Sequence, residues 1–400
     1  MVTLEALNAL AGDCLLLRYP GPDGTERLWI IDGGPKRDGA KNLYVWRDVL
    51  LPRLKEINPA QRLPVALGMV SHIDDDHING IQKLTDKLRN ATASQPKDVE
   101  FARFWFNSFD DLVGPKPASA AGEAATASLQ SLVDPANVPG VDDEHATMIM
   151  QSVPQGNSLA SDLRALNLQG NKPVGGFIAA TKGQKKIPID GAQVTILGPL
   201  QGRLDKLREE WAKALSKPDK PSRQAALQSL FLPASKQDKS VPNLSSIVVL
   251  VEIGNRKLLL TGDAHGDDIV TAWQDDLDMG TQPVKIDLLK MPHHGSIRNC
   301  TARFLTFFLA DHYVFSADGK YDNPDPPTVE AVVKLHGDRG IKMYFTNEDV
   351  TWSASYTLEK GGKKVGNLKD LLASLHQAYP GAWKETFRAK TDKSVVVTLP

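Results

Sequence analysis

One run of seven residues, Ser71-His-Ile-Asp-Asp-Asp-His77, constrains what this chain can fold into more than any other stretch. It follows directly on Val65 to Val70, an apolar segment that reads as a buried strand. After it, Ile78, Ile81, Leu84 and Leu88 recur every three or four residues, which predicts a helix. Strand, polar turn, helix is the order in which α/β folds present their chemistry, so the fold class expected is α/β. Three consecutive carboxylates between two imidazoles repel one another unless something positive neutralises them, and a divalent cation is the natural partner. The spacing of two places His72 and Asp74 toward one ion, and leaves Asp76 and His77 to reach a second.

Other strand ends carry residues of the same kind. Cys14 to Arg18 and Leu28 to Ile31 flank a turn-rich Tyr19-Pro-Gly-Pro-Asp-Gly24, the pattern of a hairpin, and the second run stops at Asp32-Gly33-Gly34. Ser246 to Ile253 turns at Gly254-Asn255 and returns as Lys257 to Leu260, ending at Thr261-Gly262-Asp263. Taken alone Asp263 is a turn residue; beside the other clusters it becomes a carboxylate able to bridge two ions. Ile286 to Met291 leads into Pro292-His293-His294-Gly295-Ser296, a tight loop at a strand end. Two stretches carry no such chemistry: an Ala-, Ser-, Gly- and Pro-rich insertion over about 113–140, expected to be loose, and a basic, Pro-containing insertion over about 217–240, read as a solvated loop. A helix with Leu368, Leu371, Leu372 and Leu375 and a strand over Val395 to Leu399 predict a small accessory extension at 351–400.

Composition narrows the function classes. With Lys+Arg 47 against Asp+Glu 48 the net charge is -1, which excludes a strongly basic nucleic-acid coat but not a local groove. Two cysteines, Cys14 and Cys300, are too few for a disulfide framework and are expected to be packing residues. No apolar run approaches the ~18 residues of a membrane span. The first residues, MVTLEALNALAGDCLLL, carry Glu5 and Asp13 and do not read as a signal peptide. A cytoplasmic protein without a membrane partner is expected, its oligomeric state open.

Ser-His-Ile-Asp-Asp-Asp-His resembles the HxHxDH signature of the metallo-β-lactamase superfamily, with Asp74 where the second His usually stands. Together with Asp32-Gly-Gly, Leu260-Thr-Gly-Asp263 and Pro292-His-His-Gly-Ser296, it is similar to the soluble hydrolase domain of ComEC-type competence proteins. The likeness covers motifs from about residue 8 to 350. It implies an αββα metallo-β-lactamase-type sandwich over 1–350, with insertions and the C-terminal extension, and a metal site at one edge. The ligands it implies are His72, Asp74, Asp76, His77, Asp263 as bridge, and His293 or His294. Two places depart from the pattern. A ligand histidine usually falls between the first cluster and the bridging carboxylate, where this chain has only His145; the matching place reads Pro242-Asn243-Leu-Ser245-Ser246. A later His-Pro is replaced by Asn323-Pro324. Asn243, Ser245, Ser296 and Asn323 are the candidate substrate contacts.

The implied activity is metal-dependent hydrolysis with one or two Zn²⁺ or Mn²⁺ ions and a metal-activated water, Asp76 or Asp263 accepting the proton. A phosphodiesterase or nuclease acting on nucleic acid or a nucleotide is the first expectation. A hydrolase of small lactones, thioesters or phosphoesters is the second, and a non-catalytic metal-binding module the third. Oxygen in place of nitrogen at Asp74 shifts preference from zinc toward manganese.

Overall fold

The computed structural model describes residues 1–36, 42–59, 62–92, 98–108, 144–217, 222, 245–353, 358–360 and 363–400; side chains are left aside at 144–154, 207, 210–212, 214–215, 358–360 and 363–364. Asn243, the 113–140 insertion and most of the 217–240 insertion lie outside the described residues, and nothing is described of the side chain of His145.

The strands are β1 (Val2–Leu7), β2 (Leu15–Pro20), β3 (Glu26–Ile31), β4 (Leu63–Val65), β5 (Leu67–Val70), β6 (Val99–Phe101), β7 (Phe104–Phe106), β8 (Ile187–Ile189), β9 (Ala192–Gly198), β10 (Val248–Ile253), β11 (Arg256–Leu260), β12 (Val284–Lys290), β13 (Phe308–Phe315), β14 (Lys342–Phe345), β15 (Leu358–Lys360), β16 (Lys363–Val365), β17 (Lys384–Phe387) and β18 (Ser394–Leu399). The helices are α1 (Leu51–Ile57), α2 (Asp75–Arg89), α3 (Glu144–Ala165), α4 (Gln201–Leu215), α5 (Gly266–Thr271), α6 (Ala302–Phe307), α7 (Pro326–His336) and α8 (Leu368–Ala378). None of the described helices is long and apolar enough to cross a membrane.

One sheet runs β18-β1-β2-β3-β5-β7 and the other β17-β14-β13-β12-β11-β10-β9-β8. The expected hairpins form: Tyr19 pairs with Arg27 across β2 and β3, and Ile253 with Arg256 across β10 and β11. From β3 through β5 to β7, and from β11 through β12 and β13 to β14, the pairing is parallel. Strand alternation sends side chains to two faces, and the hydrophobic cores follow it. Leu15, Leu17, Trp29 and Ile31 join Val249, Val251, Leu258 and Leu288 in a core built from both sheets. Leu16, Ile30 and Val70 face the other way, onto Val49 and Leu54 and onto Ile78, Ile81 and Leu84 of α2. Leu250, Leu259 and Leu289 turn to Phe304, Val332 and Leu371 of the helices on the second sheet's far face. Each sheet thus shares one face with the other sheet and carries helices on the opposite one.

The segment 351–400, expected as an accessory extension, is built into this arrangement instead. β18 pairs with β1 along its length, Val2 opposite Leu399 and Leu7 opposite Ser394. β17 extends the second sheet beside β14, and Leu368, Leu371, Leu372 and Leu375 of α8 lie in the core of the second sheet. The alternation Val395, Val397, Leu399 buries one face of β18, which a free-standing unit of this size could not do.

Candidate metal centre

The site is assembled at the carboxyl ends of parallel strands, the position where open α/β sheets bind ligands. Asp32 follows β3, Ser71 and His72 follow β5, Asp263 lies just past β11, Lys290 ends β12 with the two histidines just beyond, and Ser316 follows β13. Helix α2 starts within the acidic run, so Asp76 and His77 lie in its first turn, and Asp74 stands at the N-cap position without a side-chain capping bond. Two close backbone approaches clamp this start. A Cβ on Gly12 would stand 1.9 Å from the Asp76 carbonyl oxygen, and one on Gly33 would stand 2.3 Å from the Ile81 nitrogen. His293 and His294 both take a left-handed backbone, φ 47° and 56°, followed by Gly295 at φ 94°. Two consecutive non-glycine residues in that region cost of order 1–3 kcal/mol each, and the turn directs both rings toward Asp263.

Asp263 is the hub. Its Oδ1 lies 3.3 Å from His77 Nε2. Its Oδ2 lies 3.9 Å from His72 Nε2, 3.5 Å from His293 Nε2 and 3.6 Å from His294 Nε2. Asp76 adds its Oδ2 at 3.4 Å from His294 Nε2 and its Oδ1 at 3.9 Å from His77 Nε2. Asp74 stands 3.6 Å from His72 Nε2. Two groupings of cation-ligating type result, His72 with Asp74 and Asp76, and Asp76 with His77, Asp263 and His294, the donor atoms of each lying within 4.8 Å of one another. His293 is outside both and more open, its ring 14% exposed against 2% for His294.

Hydrogen bonds on the far side of each ring fix which nitrogen faces inward. The Ser71 amide and hydroxyl donate to Asp32, at 2.7 and 2.8 Å. Asp32 therefore accepts from His77 Nδ1–H at 2.9 Å, and the Ser71 oxygen from His72 Nδ1–H at 3.0 Å. The Asn299 amide donates to the Asp263 carbonyl at 3.0 Å, so its oxygen accepts from His293 Nδ1–H, also at 3.0 Å. In each case Nε2 is left bare toward the acids, the arrangement found around metal-ligating histidines. Asp263 is itself held by its amide, which donates to Ser246 Oγ at 3.1 Å.

The inward atoms are left over. His72 Nε2, His77 Nε2, His294 Nε2, Asp74 Oδ1 and Asp263 Oδ1 are buried and make no hydrogen bond. For His77, His294, Asp76 and Asp263 burial disfavours charge, yet their neighbours' charges override it. Asp263, Asp76 and Asp32 push the His77 imidazole well above its ordinary value despite burial, and His294 rises with Asp263 and Asp13 beside it. Asp76 is held at about 2 by His77 and His294, against the opposing effect of burial. The field that raises His77 and His294 and lowers Asp76 and Asp263 is one that a cation would satisfy. The donor set, imidazole nitrogen and carboxylate oxygen with no thiolate, fits zinc, manganese or iron.

All seven expected ligands are thus brought to one place, His293 on its outer side. Of the expected substrate contacts, Ser296 and Asn323 lie against the His293–His294 loop, Asn323 Nδ2 donating to the His293 carbonyl at 3.3 Å; Ser245 is buried beside Ser246, ahead of β10. Asp75 faces away, its Oδ1 accepting from Asn79 at 2.6 Å and from Gln155 at 2.8 Å. Reading by sequence missed Asp13, Asp32, Ser71, Lys290, Asn299 and Ser316 as parts of the site. Asp32 entered the sequence reading only within a motif, and Lys290 only as part of the run Ile286 to Met291. Cys14 and Cys300 are buried, and burial pushes both thiols up, as packing residues require.

No family model matches the chain, and no curated protein matches it. Among solved structures, a variant of CmlA beta-hydroxylase is similar at 13% identity and TM-score 0.37, over 100% of this chain and 54% of that one. CmlA from Streptomyces venezuelae, a diiron beta-hydroxylase, is similar at 12% identity and TM-score 0.36 with the same coverage. A protein of unknown function from Enterococcus faecalis is similar at 10% identity and TM-score 0.27, over 97% of this chain and 88% of that one. The chain spans about half the length of the CmlA chains. Likeness this distant carries nothing about chemistry.

Proposed function

We propose that this chain is a metal-dependent hydrolase with an αββα sandwich of the metallo-β-lactamase type, acting on phosphodiester bonds of nucleic acid or nucleotides. The observation that carries the metal reading is the set of buried, unpartnered Nε2 and Oδ atoms converging on Asp263. The phosphodiester reading is supported by the resemblance of the four motifs to the ComEC-type hydrolase domain. One ion would be held by His72 and Asp74 and a second by Asp76, His77 and His294, with Asp263 between them. Bound there, divalent ions would supply Lewis acidity toward a phosphoryl oxygen and lower the pKa of bound water.

The chain's own residues do the rest. Asp32 and Ser71 keep the His77 and His72 rings turned with Nε2 inward. Tight packing of Gly12 and Gly33 against α2 holds Asp76 in register with Asp263. His293, the most open ring of the cluster and braced at Nδ1 by Asn299, is placed to accept a proton at its bare Nε2 from the attacking water and then, as imidazolium, to return it to a leaving oxygen. That role was assigned by sequence to neither histidine, and it separates His293 from His294, which we take as the ligand.

The test is incubation of purified, metal-reconstituted protein with DNA, RNA, cyclic nucleotides and a generic phosphodiester, with Mn²⁺ and Zn²⁺ in separate arms. Hydrolysis of at least one phosphodiester, abolished in Asp74→Ala and His77→Ala while both stay folded, is the expected result. Full activity in both variants would remove the metal reading. Turnover confined to small esters, unchanged by salt, would move the assignment to a small-molecule hydrolase, because a nuclease loses binding steeply as salt rises. Activity should rise with Mn²⁺ even where zinc binds more tightly, and Asp74→His should shift the optimum back toward zinc.

A further inference from the structure

Behind the ligand cluster lies a second polar layer that the proposed chemistry does not use. Lys290, the last residue of β12, is completely buried. By strand alternation it follows Leu288 into the space between the two sheets. Its ammonium pairs with Asp13 Oδ2. Asp13, itself 1% exposed, accepts from the Ser316 hydroxyl through Oδ1, and the same oxygen lies 3.4 Å from His294 Nδ1. Asp13 Oδ2 is also 3.9 Å from His77 Nδ1. Asp13, Asp32 and His77 form a third grouping of cation-ligating type, which shares the His77 ring with the Asp76–His77–Asp263–His294 grouping. The Nδ1 edge of His77 belongs to this rear group and the Nε2 edge to the front one.

A charge count shows what the ammonium does there. The buried acids Asp13, Asp32, Asp74, Asp76 and Asp263 bring five negative charges, and Lys290 brings one positive. With neutral imidazoles this leaves four, the charge of two divalent cations. A buried ammonium is strongly disfavoured unless it is paired, so its place in the rear group is a built feature of the site.

We propose that Lys290 is the resident cation of the centre. It neutralises Asp13 of the rear group, leaves the His77–Asp32 hydrogen bond intact, and through Asp13 sets the negative charge against which the front groups bind divalent ions. Lys290 is a positioning residue, acting through Asp13 and His294 and touching no substrate. The inference rests on the metal reading above, and its test reads metal affinity, not turnover.

Mn²⁺ alone is titrated into metal-free full-length protein for the wild type, Asp13→Asn, Lys290→Met and the double variant, with folding followed by circular dichroism. Asp13→Asn leaves an uncompensated ammonium behind the site and should weaken Mn²⁺ binding about 10- to 100-fold, the usual effect of altering groups that support ligands. The double variant restores the charge and should return to within about threefold of the wild type. Lys290→Met should bind at least as tightly as the wild type. A double variant as weak as Asp13→Asn would overturn the proposal, since the sign of residue 290 would then not matter. If Asp13→Asn does not fold, Lys290→Met decides: tenfold or greater loss of Mn²⁺ overturns the proposal, and retained affinity sustains it. Failure of the wild type itself to bind Mn²⁺ or Zn²⁺ would sink the metal reading on which all of this rests, and is seen before any variant is made.

Discussion

The His77 ring shows how one residue can be committed to a role by its surroundings. Its Nδ1 proton goes to Asp32 at 2.9 Å and its Nε2 faces Asp263 at 3.3 Å. Asp32→Asn keeps the shape and removes the acceptor charge; depending on its rotamer, the amide can turn a donor toward Nδ1. We expect metal affinity to fall about 10- to 100-fold with the fold retained, measured by Zn²⁺ competition against a chromophoric chelator. Unchanged affinity would show that Asp32 only caps a turn. His77, Asp76 and Asp263 were legible in the sequence because ligands cluster at strand ends. Asp32 was visible as the start of a glycine turn and of a resembling motif, with no role attached, and Asp13 only as a charge in the first apolar stretch. The reason is physical: ligands come in dense runs, whereas the groups that orient them arrive singly from strands distant in the chain, as Ser316 reaches Asp13 across 303 positions.

The element that most departs from expectation is the terminal strand. Its helix and strand were each legible from periodicity, but pairing was not, because antiparallel partners can be any distance apart in sequence. β18 sits where β1 would otherwise be an unpaired edge. Val397, fully buried and opposite Leu4 in register, anchors it. Val397→Asp places an unpaired carboxylate in the shared core of the two sheets and should destabilise the protein by about 3–5 kcal/mol. Denaturant unfolding followed by circular dichroism measures it; a loss below about 1 kcal/mol would mean that the tail is dispensable. Glu5 ties the same region together. Completely buried on β1, it takes Arg53 at 2.8 and 2.9 Å, Arg18 at 3.0 Å and Ser394 of β18 at 3.1 Å. Burial raises its pKa, but Arg53 and Arg18 outweigh burial and hold it below the ordinary 4.5. A depressed carboxylate contributes stability that is present above its unfolded pKa and is lost as pH falls through the folded one. Stability should therefore decline on acidification below about pH 4.5, and Glu5→Gln should flatten that decline while lowering stability near neutrality. A decline equally steep in Glu5→Gln would place the acid sensitivity elsewhere.

At the scale of the whole molecule, the two sheets are fastened by a shared hydrophobic core that runs up to the site, where Ile31, Leu260 and Val314 give way to a cluster rich in carboxylates. A chain with a net charge of -1 concentrates five buried carboxylates in one place. The apolar cores between and outside the sheets must carry the fold against that repulsion when no cation is present. Cation binding should then stabilise the native state selectively, because the unfolded chain spreads the same acids through its length. An ion present at 1,000 times its Kd adds about 4 kcal/mol. For 400 residues the unfolding entropy is about 0.8 kcal/mol/K, so each ion should raise Tm by about 5 °C, and two by about 10 °C. Scanning calorimetry of chelated protein, then of the same sample with one and two equivalents of Mn²⁺ or Zn²⁺, gives the steps directly. Two increments, both lost in His77→Ala, would be expected of ions that share Asp263. A single increment would reduce the centre to one ion. A Tm indifferent to chelator and metal alike would mean that the buried acids are neutralised by protons, and the hydrolase reading would fall with the centre.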